Sequence, residues 1–160
     1  MNDQDLPADD APASEDVWAR LRRLEDLEKI KALKHRYVAA LDDLIGDPAA
    51  VPEFVDLFVN NLEVEYDAYG TFTDKASLTA FLQNVISPAF AWGFHVAANP
   101  RIHIHGDVAT AEWYLVAQAL PEGGAAVVPF YGRYVDDYVR TNAGWKIKKS
   151  VLVFDPPPLP

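Results

Sequence analysis

Apolar residues recur at steps of three and four along the first part of the chain, which is the spacing of one helical face. This stripe predicts a long first helix that begins near Ser14 and ends at Gly46. Asp47 and Pro48 then form the start signal of a second helix, and residues 74–85 predict a third. The stripe consists of Val17, Leu21, Leu24, Leu27, Ile30, Leu33, Tyr37, Leu41 and Leu44.

The pattern changes to the alternation of strands after Phe90, where aromatic and β-branched residues become frequent. A shorter alternating segment precedes the third helix. The predicted strands cover residues 62–66, 94–105, 108–120, 127–140 and 145–154. Helices followed by a meander of antiparallel strands indicate an α+β fold, in which the helices cover one face of a strongly curved sheet and enclose a pocket.

Composition indicates one domain with a sizeable core, since the chain has 160 residues and 50% of them are hydrophobic. We expect this domain over residues 14–155, between a disordered acidic tail of residues 1–13 and a Pro-rich tail of residues 156–160. The formal net charge of -10 argues against nucleic-acid binding, because no basic surface is available for the phosphates.

The missing residue types and motifs exclude several classes of chemistry. Cysteine is absent, which rules out thiol catalysis, disulfides and cysteine-based metal sites. We also expect no cofactor, because phosphate-binding loops and zinc-protease motifs are absent. His103 and His105 share a strand face without accompanying carboxylates, so we expect an exposed strand end and no metal. Without a signal peptide or an apolar run of ~18 residues, the protein is expected to be cytoplasmic and free of membrane partners.

The candidate chemistry centres on His95, which lies in the apolar segment 89–98 and therefore needs a polar partner. The end of the first helix offers two carboxylates, Asp42 and Asp43. At ~100° per residue, Asp42 lies on the flank of the apolar stripe while Asp43 faces water, so the helix pattern favours Asp42. An aspartate and a histidine in an apolar pocket form a general base. Tyr37 is either a hydroxyl that polarises a substrate oxygen or a core tyrosine.

Further candidates for substrate binding lie on the predicted strands, and they are Phe94, Trp113, Tyr131 and Arg133. On a concave strand face Arg133 would stabilise an enolate or a departing anion, and on a convex face it would form a surface ion pair. Alternation leaves open whether Trp113 or its neighbours face the pocket. In the first helix, His35 lies in a basic run with Lys34 and Arg36 and is predicted to be a surface residue.

Two segments of the chain resemble SnoaL-like proteins: LEDLEKIKALKHRYVAALD at residues 24–42, and GRYVDDYVRTNAGWKI at residues 132–147. The resemblance covers residues 20–154 and implies the nuclear transport factor 2-like, cystatin-like fold, a cone-shaped α+β barrel. The chain is most similar to the branch that holds scytalone dehydratase, bile-acid 7α-dehydratase and hexachlorocyclohexane dehydrochlorinase. Asp42 and His95 match the aspartate and histidine of that branch, and Tyr37 matches a tyrosine of the bile-acid enzyme.

The resemblance and the Asp–His pattern together predict a cofactor-independent lyase or isomerase, with dehydration as the favoured reaction. His95 would remove a proton from carbon, Asp42 would orient the imidazole, and Tyr37 would polarise an oxygen of a small apolar or cyclic substrate. Two alternatives stay open: a polyketide cyclase that closes a ring by aldol chemistry, and a non-catalytic ligand-binding protein or dioxygenase β-subunit-like protein. The resemblance and the aromatic strands also predict a homodimer or homotrimer.

Overall fold

The computed structural model describes residues 14–67 and 69–155 of the chain, so both predicted tails lie outside the described residues. Helix α1 covers Ser14–Asp43, a 3-10 turn covers Pro48–Ala50, and α2 covers Val51–Asp56. Helix α3 covers Lys75–Phe81 and continues through a π-helical turn, Leu82–Ile86, into a last turn, Ser87–Ala89. These helices are close to the three that the sequence pattern predicts.

Within the described residues, six strands form one curved sheet that does not close into a barrel. The strands are β1 (Phe58–Tyr66), β2 (Gly70–Phe72), β3 (Phe90–His105), β4 (Val108–Pro121), β5 (Val128–Thr141) and β6 (Gly144–Phe154). Their order is β2-β1-β6-β5-β4-β3, and neighbours are antiparallel except for the parallel pair β1 and β6. Helix α1 packs against β3 and β6, which confirms the predicted α+β architecture.

The end of α1 is fastened to the segment that leads into β3. Gly46 has a φ of 76°, a left-handed conformation that suits glycine at a helix end. Its N–H donates to the Ser87 carbonyl at 2.9 Å. Asp47 then caps the 3-10 turn by accepting a hydrogen bond from the Ala49 N–H at 3.0 Å. This loop therefore holds the last turn of α1 close to the beginning of β3.

The first turns of α1 are exposed, so the predicted apolar stripe is buried only in the later part of the helix. Val17, Leu21 and Leu24 are 48%, 43% and 60% exposed, whereas Ile30 is fully buried. A helix of 30 residues is about 45 Å long, and its hydrogen bonds to the sheet begin at Asp26, beyond these first turns. Neither α1 nor any other helix in the described part of the chain is long and apolar enough to cross a membrane. The homodimer or homotrimer stays a prediction.

Some element boundaries differ from the sequence pattern. Strand β1 begins at Phe58, four residues before the predicted strand of residues 62–66, and the short edge strand β2 that begins at Gly70 has no counterpart among the predicted strands. The third helical segment extends beyond residue 85 to Ala89, and Pro88 lies inside its last turn.

Candidate functional site

A cavity of about 400 Å³ lies between the end of α1, the helical segment before β3 and the inner face of the sheet. Most of its wall is aliphatic or aromatic, and its volume falls within the roughly 300–1,000 Å³ of small-molecule sites. The side chains with polar groups in the wall are Tyr66, Tyr69, His95, Tyr131, Tyr134 and Asp155. Among the described residues that line the cavity there is no lysine or arginine, so the site favours a neutral, mainly apolar ligand over an anion.

Small side chains at the inward positions of β4 leave room for this cavity. Trp113 and Leu115 are large and buried, but the next two inward positions are Ala117 and Ala119. Ala117 lies opposite His95 on β3 in the strand register. The cavity therefore forms where β4 changes from large to small inward residues, and His95 lies beside that change.

His95 and Asp42 are in contact, as the helix pattern predicts. The His95 Nδ1 atom lies 2.6 Å from Asp42 Oδ1, and the backbone N–H of His95 makes a longer contact of 3.4 Å with Oδ2. The side chain of His95 is 16% exposed and that of Asp42 is 28% exposed. Asp43 is exposed, in agreement with its position on the water-facing side of α1. The carboxylate thus holds both the ring and the backbone of the histidine.

This contact determines which imidazole nitrogen is available for chemistry. An ionised carboxylate only accepts hydrogen bonds, so the hydrogen of a neutral His95 ring belongs on Nδ1. The lone pair then belongs to Nε2, on a side chain that lines the cavity. The pair can take a proton from a ligand in the cavity, and the carboxylate stabilises the imidazolium that results.

Gly93 leaves room for the side chain of Ile45 next to this pair. A Cβ atom at position 93 would overlap Cδ1 of Ile45 and would lie 3.8 Å from Cε1 of His95. Ile45 also lines the cavity. The absence of a side chain at Gly93 therefore fixes where the end of the Ile45 side chain lies in the cavity wall.

Tyr37 lies one layer behind the cavity and not in its wall. Its side chain is fully buried, and its ring packs against the rings of Phe54 and Tyr134, with centroids 4.8 and 5.4 Å away. Its hydroxyl is 3.4 Å from the hydroxyl of Tyr66, which does line the cavity. Tyr66 and Tyr134, which the sequence analysis did not select, therefore line the cavity in place of Tyr37.

Lys34 is completely buried, which corrects its predicted place in a surface run. Its Nζ lies 2.8 Å from Oδ2 of Asp136, and both side chains are 0% exposed. Asp136 also accepts hydrogen bonds from the hydroxyls of Tyr138 and Ser150, both at 2.7 Å. Burial lowers the pKa of the Lys34 ammonium, and Asp136 opposes that change. His35 is exposed, as predicted.

Three of the four predicted substrate contacts do not reach the cavity. Phe94 is 47% exposed on the outer face of β3 because it has the opposite parity to His95. Trp113 faces inward but lies in the core, where its Nε1 donates to the Tyr138 hydroxyl at 3.2 Å. Arg133 lies on the outer face of β5 and forms a 3.3 Å ion pair with Asp155. Tyr131 lines the rim of the cavity and is 46% exposed.

His103 and His105 are both exposed on β3, in agreement with an ordinary strand end. Within residues 14–67 and 69–155, no group of three or more histidine, aspartate or glutamate side chains is arranged to hold a metal ion.

A third contact between α1 and the sheet involves Asp26, far along the helix from Asp42. Arg140 donates to both oxygens of Asp26, at 2.8 and 2.7 Å, and the Trp145 Nε1 donates at 3.0 Å. The hydrogen bonds from Arg140 are the main reason why the pKa of Asp26 falls from 3.8 to about 2, and burial opposes them. This contact fixes the middle of α1 on the hairpin of β5 and β6.

A family model of the SnoaL-like domain matches residues 22–151. The chain belongs to this family. A comparison with curated proteins finds no match. The SnoaL-like assignment agrees with the two segments that carried the resemblance, because both fall largely within the matched residues.

Solved structures that share the SnoaL-like architecture confirm the predicted fold. A scytalone dehydratase-like protein of Novosphingobium aromaticivorans has a TM-score of 0.75 at 22% identity, over 84% of this chain and 87% of its own. The hexachlorocyclohexane dehydrochlorinase of Novosphingobium barchaimii has a TM-score of 0.75 at 17% identity, over 86% and 91%. An NTF2-like protein with a cystatin-like fold, from Novosphingobium aromaticivorans, has a TM-score of 0.75 at 25% identity, over 89% and 90%.

Proposed function

We propose that this SnoaL-like protein is a cofactor-independent lyase or isomerase that acts on a small, neutral, mainly apolar substrate. His95, held by Asp42, removes a proton from a carbon atom of that substrate. The observation that carries the proposal is the 2.6 Å contact between His95 Nδ1 and Asp42 Oδ1 in the wall of a 400 Å³ apolar cavity. A positioned general base of this kind contributes roughly 10²- to 10⁴-fold to a reaction rate.

Dehydration of a cyclic β-hydroxy carbonyl compound is the reaction we favour. The C–H bond next to the carbonyl breaks, and its proton goes to Nε2 of His95. The electron pair forms a C=C bond while the C–O bond to the β-hydroxyl breaks. The imidazolium returns the proton to the departing hydroxide, so that water leaves and the neutral histidine is restored. Two of the similar structures carry the names of a dehydratase and a dehydrochlorinase, which supports an elimination.

Phenol groups in the cavity wall are suited to the carbonyl oxygen, on which negative charge develops during deprotonation. Burial raises the pKa of Tyr66 to about 12, so this hydroxyl keeps its hydrogen at neutral pH and can donate it. The absence of a lysine or arginine from the described lining residues is consistent with a neutral substrate and a transient, not a permanent, negative charge.

A panel of cyclic β-hydroxy ketones in D₂O tests the proposal, with water loss and exchange of the α-hydrogen followed by NMR. We expect His95→Ala to lower both rates by at least ~10²-fold. His103→Ala is the matched control, because His103 is an exposed histidine on the same strand, and it is expected to leave the rates unchanged. Equal rates for the wild type and His95→Ala would reject His95 as the base.

Two further measurements, with an open-chain diketone as substrate and by co-elution with partner proteins, separate the two alternatives. An aldol cyclase begins with the same deprotonation, so ring closure of an open-chain diketone without water loss would favour the polyketide cyclase. A chain that exchanges no α-hydrogen and co-elutes with a larger iron–sulfur partner would favour the dioxygenase β-subunit-like protein.

A further inference from the structure

Three phenylalanines form an aromatic part of the cavity wall, and none of them is fully buried. They are Phe90 on β3, Phe130 on β5 and Phe154 on β6. The ring centroids of Phe90 and Phe130 are 6.5 Å apart, and those of Phe130 and Phe154 are 5.9 Å apart. We call these three residues the phenylalanine cluster. Its exposed ring surface is apolar, so a ligand that covers it gains binding free energy from the hydrophobic effect.

The strand register gives the distance of this cluster from His95. Phe130 lies opposite Ala117 on β4, and Ala117 lies opposite His95 on β3. Neighbouring strands are about 4.8 Å apart, so about 10 Å along the sheet separates the backbone of His95 from that of Phe130. Ala117 contributes only a methyl group between them. A ring whose carbon atom meets His95 can therefore reach the cluster through a short substituent.

The volume of the cavity fits a ring together with a substituent. An apolar protein cavity of roughly 150 Å³ holds one benzene molecule. The cavity of this protein has about 400 Å³, which leaves more than half of its volume beyond a single ring. Most of the wall is aliphatic or aromatic, so a group that fills this remaining volume binds best if it is apolar.

Ala119 limits the space beside the phenylalanine cluster. It is the next inward residue after Ala117 on β4, the strand between those of Phe90 and Phe130. Both alanines are buried and line the cavity. Because the side chain of Ala119 is one methyl group, a longer side chain at this position would project into the cavity and shorten the space for a substituent.

We propose that the substrate carries a short apolar substituent, which the phenylalanine cluster binds, and that Ala119 and Phe130 determine how long this substituent can be. The inference rests on the proposed function, because the substituent extends from the ring that His95 deprotonates. It specifies the substrate class as a neutral cyclic compound with an apolar side chain, and not an unsubstituted ring.

Binding of a series of ligands that differ only in chain length tests the inference without any turnover. The probes are cyclohexanone and its 4-methyl, 4-ethyl and 4-propyl derivatives, and NMR titration gives their dissociation constants. In the wild type we expect the dissociation constant to fall about fourfold for each added carbon atom, because each one is buried against apolar side chains.

Two variants test the residues that we assign. In Ala119→Leu we expect the dissociation constant to stop falling along the series, because the added carbon atoms of leucine occupy the place of the substituent. In Phe130→Ala we expect the gain for each carbon atom to drop to about twofold, because part of the apolar contact is lost. Both variants should bind cyclohexanone about as tightly as the wild type does, since the ring itself lies at His95.

Gln118→Leu is the matched control, because it places the same new side chain on the exposed outer face of β4. It should give the same series as the wild type. Circular dichroism establishes that each variant is folded. Ala119→Val is a smaller change at the same position, and it should stop the gain later in the series than Ala119→Leu.

The outcomes distinguish failure of this inference from failure of the proposed function. A dissociation constant that does not fall along the series in the wild type, or that falls equally in Ala119→Leu, overturns the inference even if His95 is the base. A full gain in Phe130→Ala overturns the role of Phe130. A gain that Ala119→Leu removes supports the inference even if His95→Ala leaves hydrogen exchange unchanged, in which case only the proposed function fails.

Discussion

Three pairs of an acidic and a basic side chain join α1 to the sheet within the described residues, and two of them differ most in what surrounds them. Asp42 and His95 meet at 2.6 Å with side chains that are 28% and 16% exposed, beside the cavity. Lys34 and Asp136 meet at 2.8 Å with side chains that are 0% exposed, behind the tyrosines. The contact between Asp42 and His95 can exchange protons with a ligand in the cavity. The contact between Lys34 and Asp136 has no access to a ligand and can only stabilise the structure.

The hydrogen bonds of the two carboxylates fit this difference. Asp136 accepts from Tyr138 and Ser150 in addition to its contact with Lys34, so its charge is compensated on several sides. Asp42 contacts the ring and the backbone of a single residue, His95. A buried charge needs such compensation because it has lost its water, whereas a part-exposed charge keeps some.

The largest expected effect follows from removing Asp136. Asp136→Ala leaves the Lys34 ammonium buried without its counter-ion, and we expect a loss of about 3–5 kcal/mol in the free energy of unfolding. Asp42→Ala, the matched change at the cavity, is expected to cost below about 1 kcal/mol. Urea unfolding at pH 7 measures both values. Equal losses would show that the two pairs do not differ in the way described.

The dependence of stability on acid pH tests the third contact of α1, between Asp26 and Arg140. Since the pKa of Asp26 is lowered from 3.8 to about 2 in the folded chain, its contribution to stability is complete above pH 3.8. This contribution is lost as the pH falls from 3.8 towards 2, because the unfolded chain takes up the proton first. The shift corresponds to about 2 kcal/mol. Between pH 6 and pH 2.5 we expect the free energy of unfolding to fall further in the wild type than in Asp26→Asn. Other effects of acid act on both proteins and cancel in this comparison.

The smallest effect is expected at the surface. Lys149 and Glu63 form a 2.6 Å ion pair between β6 and β1, with side chains that are 37% and 43% exposed. Solvent and salt screen such a pair, so Lys149→Met should change the free energy of unfolding by no more than about 0.5 kcal/mol. A loss comparable to that of Asp136→Ala would contradict the view that burial, not distance, determines the strength of these contacts.

The contact between Asp42 and His95 could be predicted because both residues carry a local signal. His95 is a titratable residue in an apolar segment, and the phase of the α1 stripe separates Asp42 from Asp43. The fold was predictable for a similar reason, since the order of helical and alternating segments indicates α+β architecture by itself. The SnoaL-like match and the solved structures confirm that part of the prediction.

The buried ion pair of Lys34 and Asp136, which lies outside the cavity wall, could not be predicted in this way. Lys34 occupies the apolar face of α1, four positions after Ile30 and three before Tyr37, but a lysine there resembles a surface residue until its partner is known. That partner, Asp136, is on β5, and the connection between the two depends on the tertiary structure.

An alternating pattern also does not show which of its two sets of residues faces the helices. Phe94 was therefore grouped with His95 although the two side chains point to opposite faces of β3. Arg133 alternates with Tyr134 in the same way on β5. One residue that is known to face inward, as His95 is from its contact with Asp42, shows which neighbouring side chains of the same strand face inward and which face outward.

Gly93 has a consequence for how the site can change over evolutionary time. The shape of the cavity beside the pair depends on a position that contributes no side-chain atoms, because Cδ1 of Ile45, a residue of the cavity wall, occupies the volume in which a Cβ atom at Gly93 would lie. A mutation there would leave every functional group of the pair intact and turn the end of the Ile45 side chain to another position in the wall. Comparison of natural variants at this glycine would therefore reveal which cavity shapes the protein tolerates beside an unchanged acid–base pair.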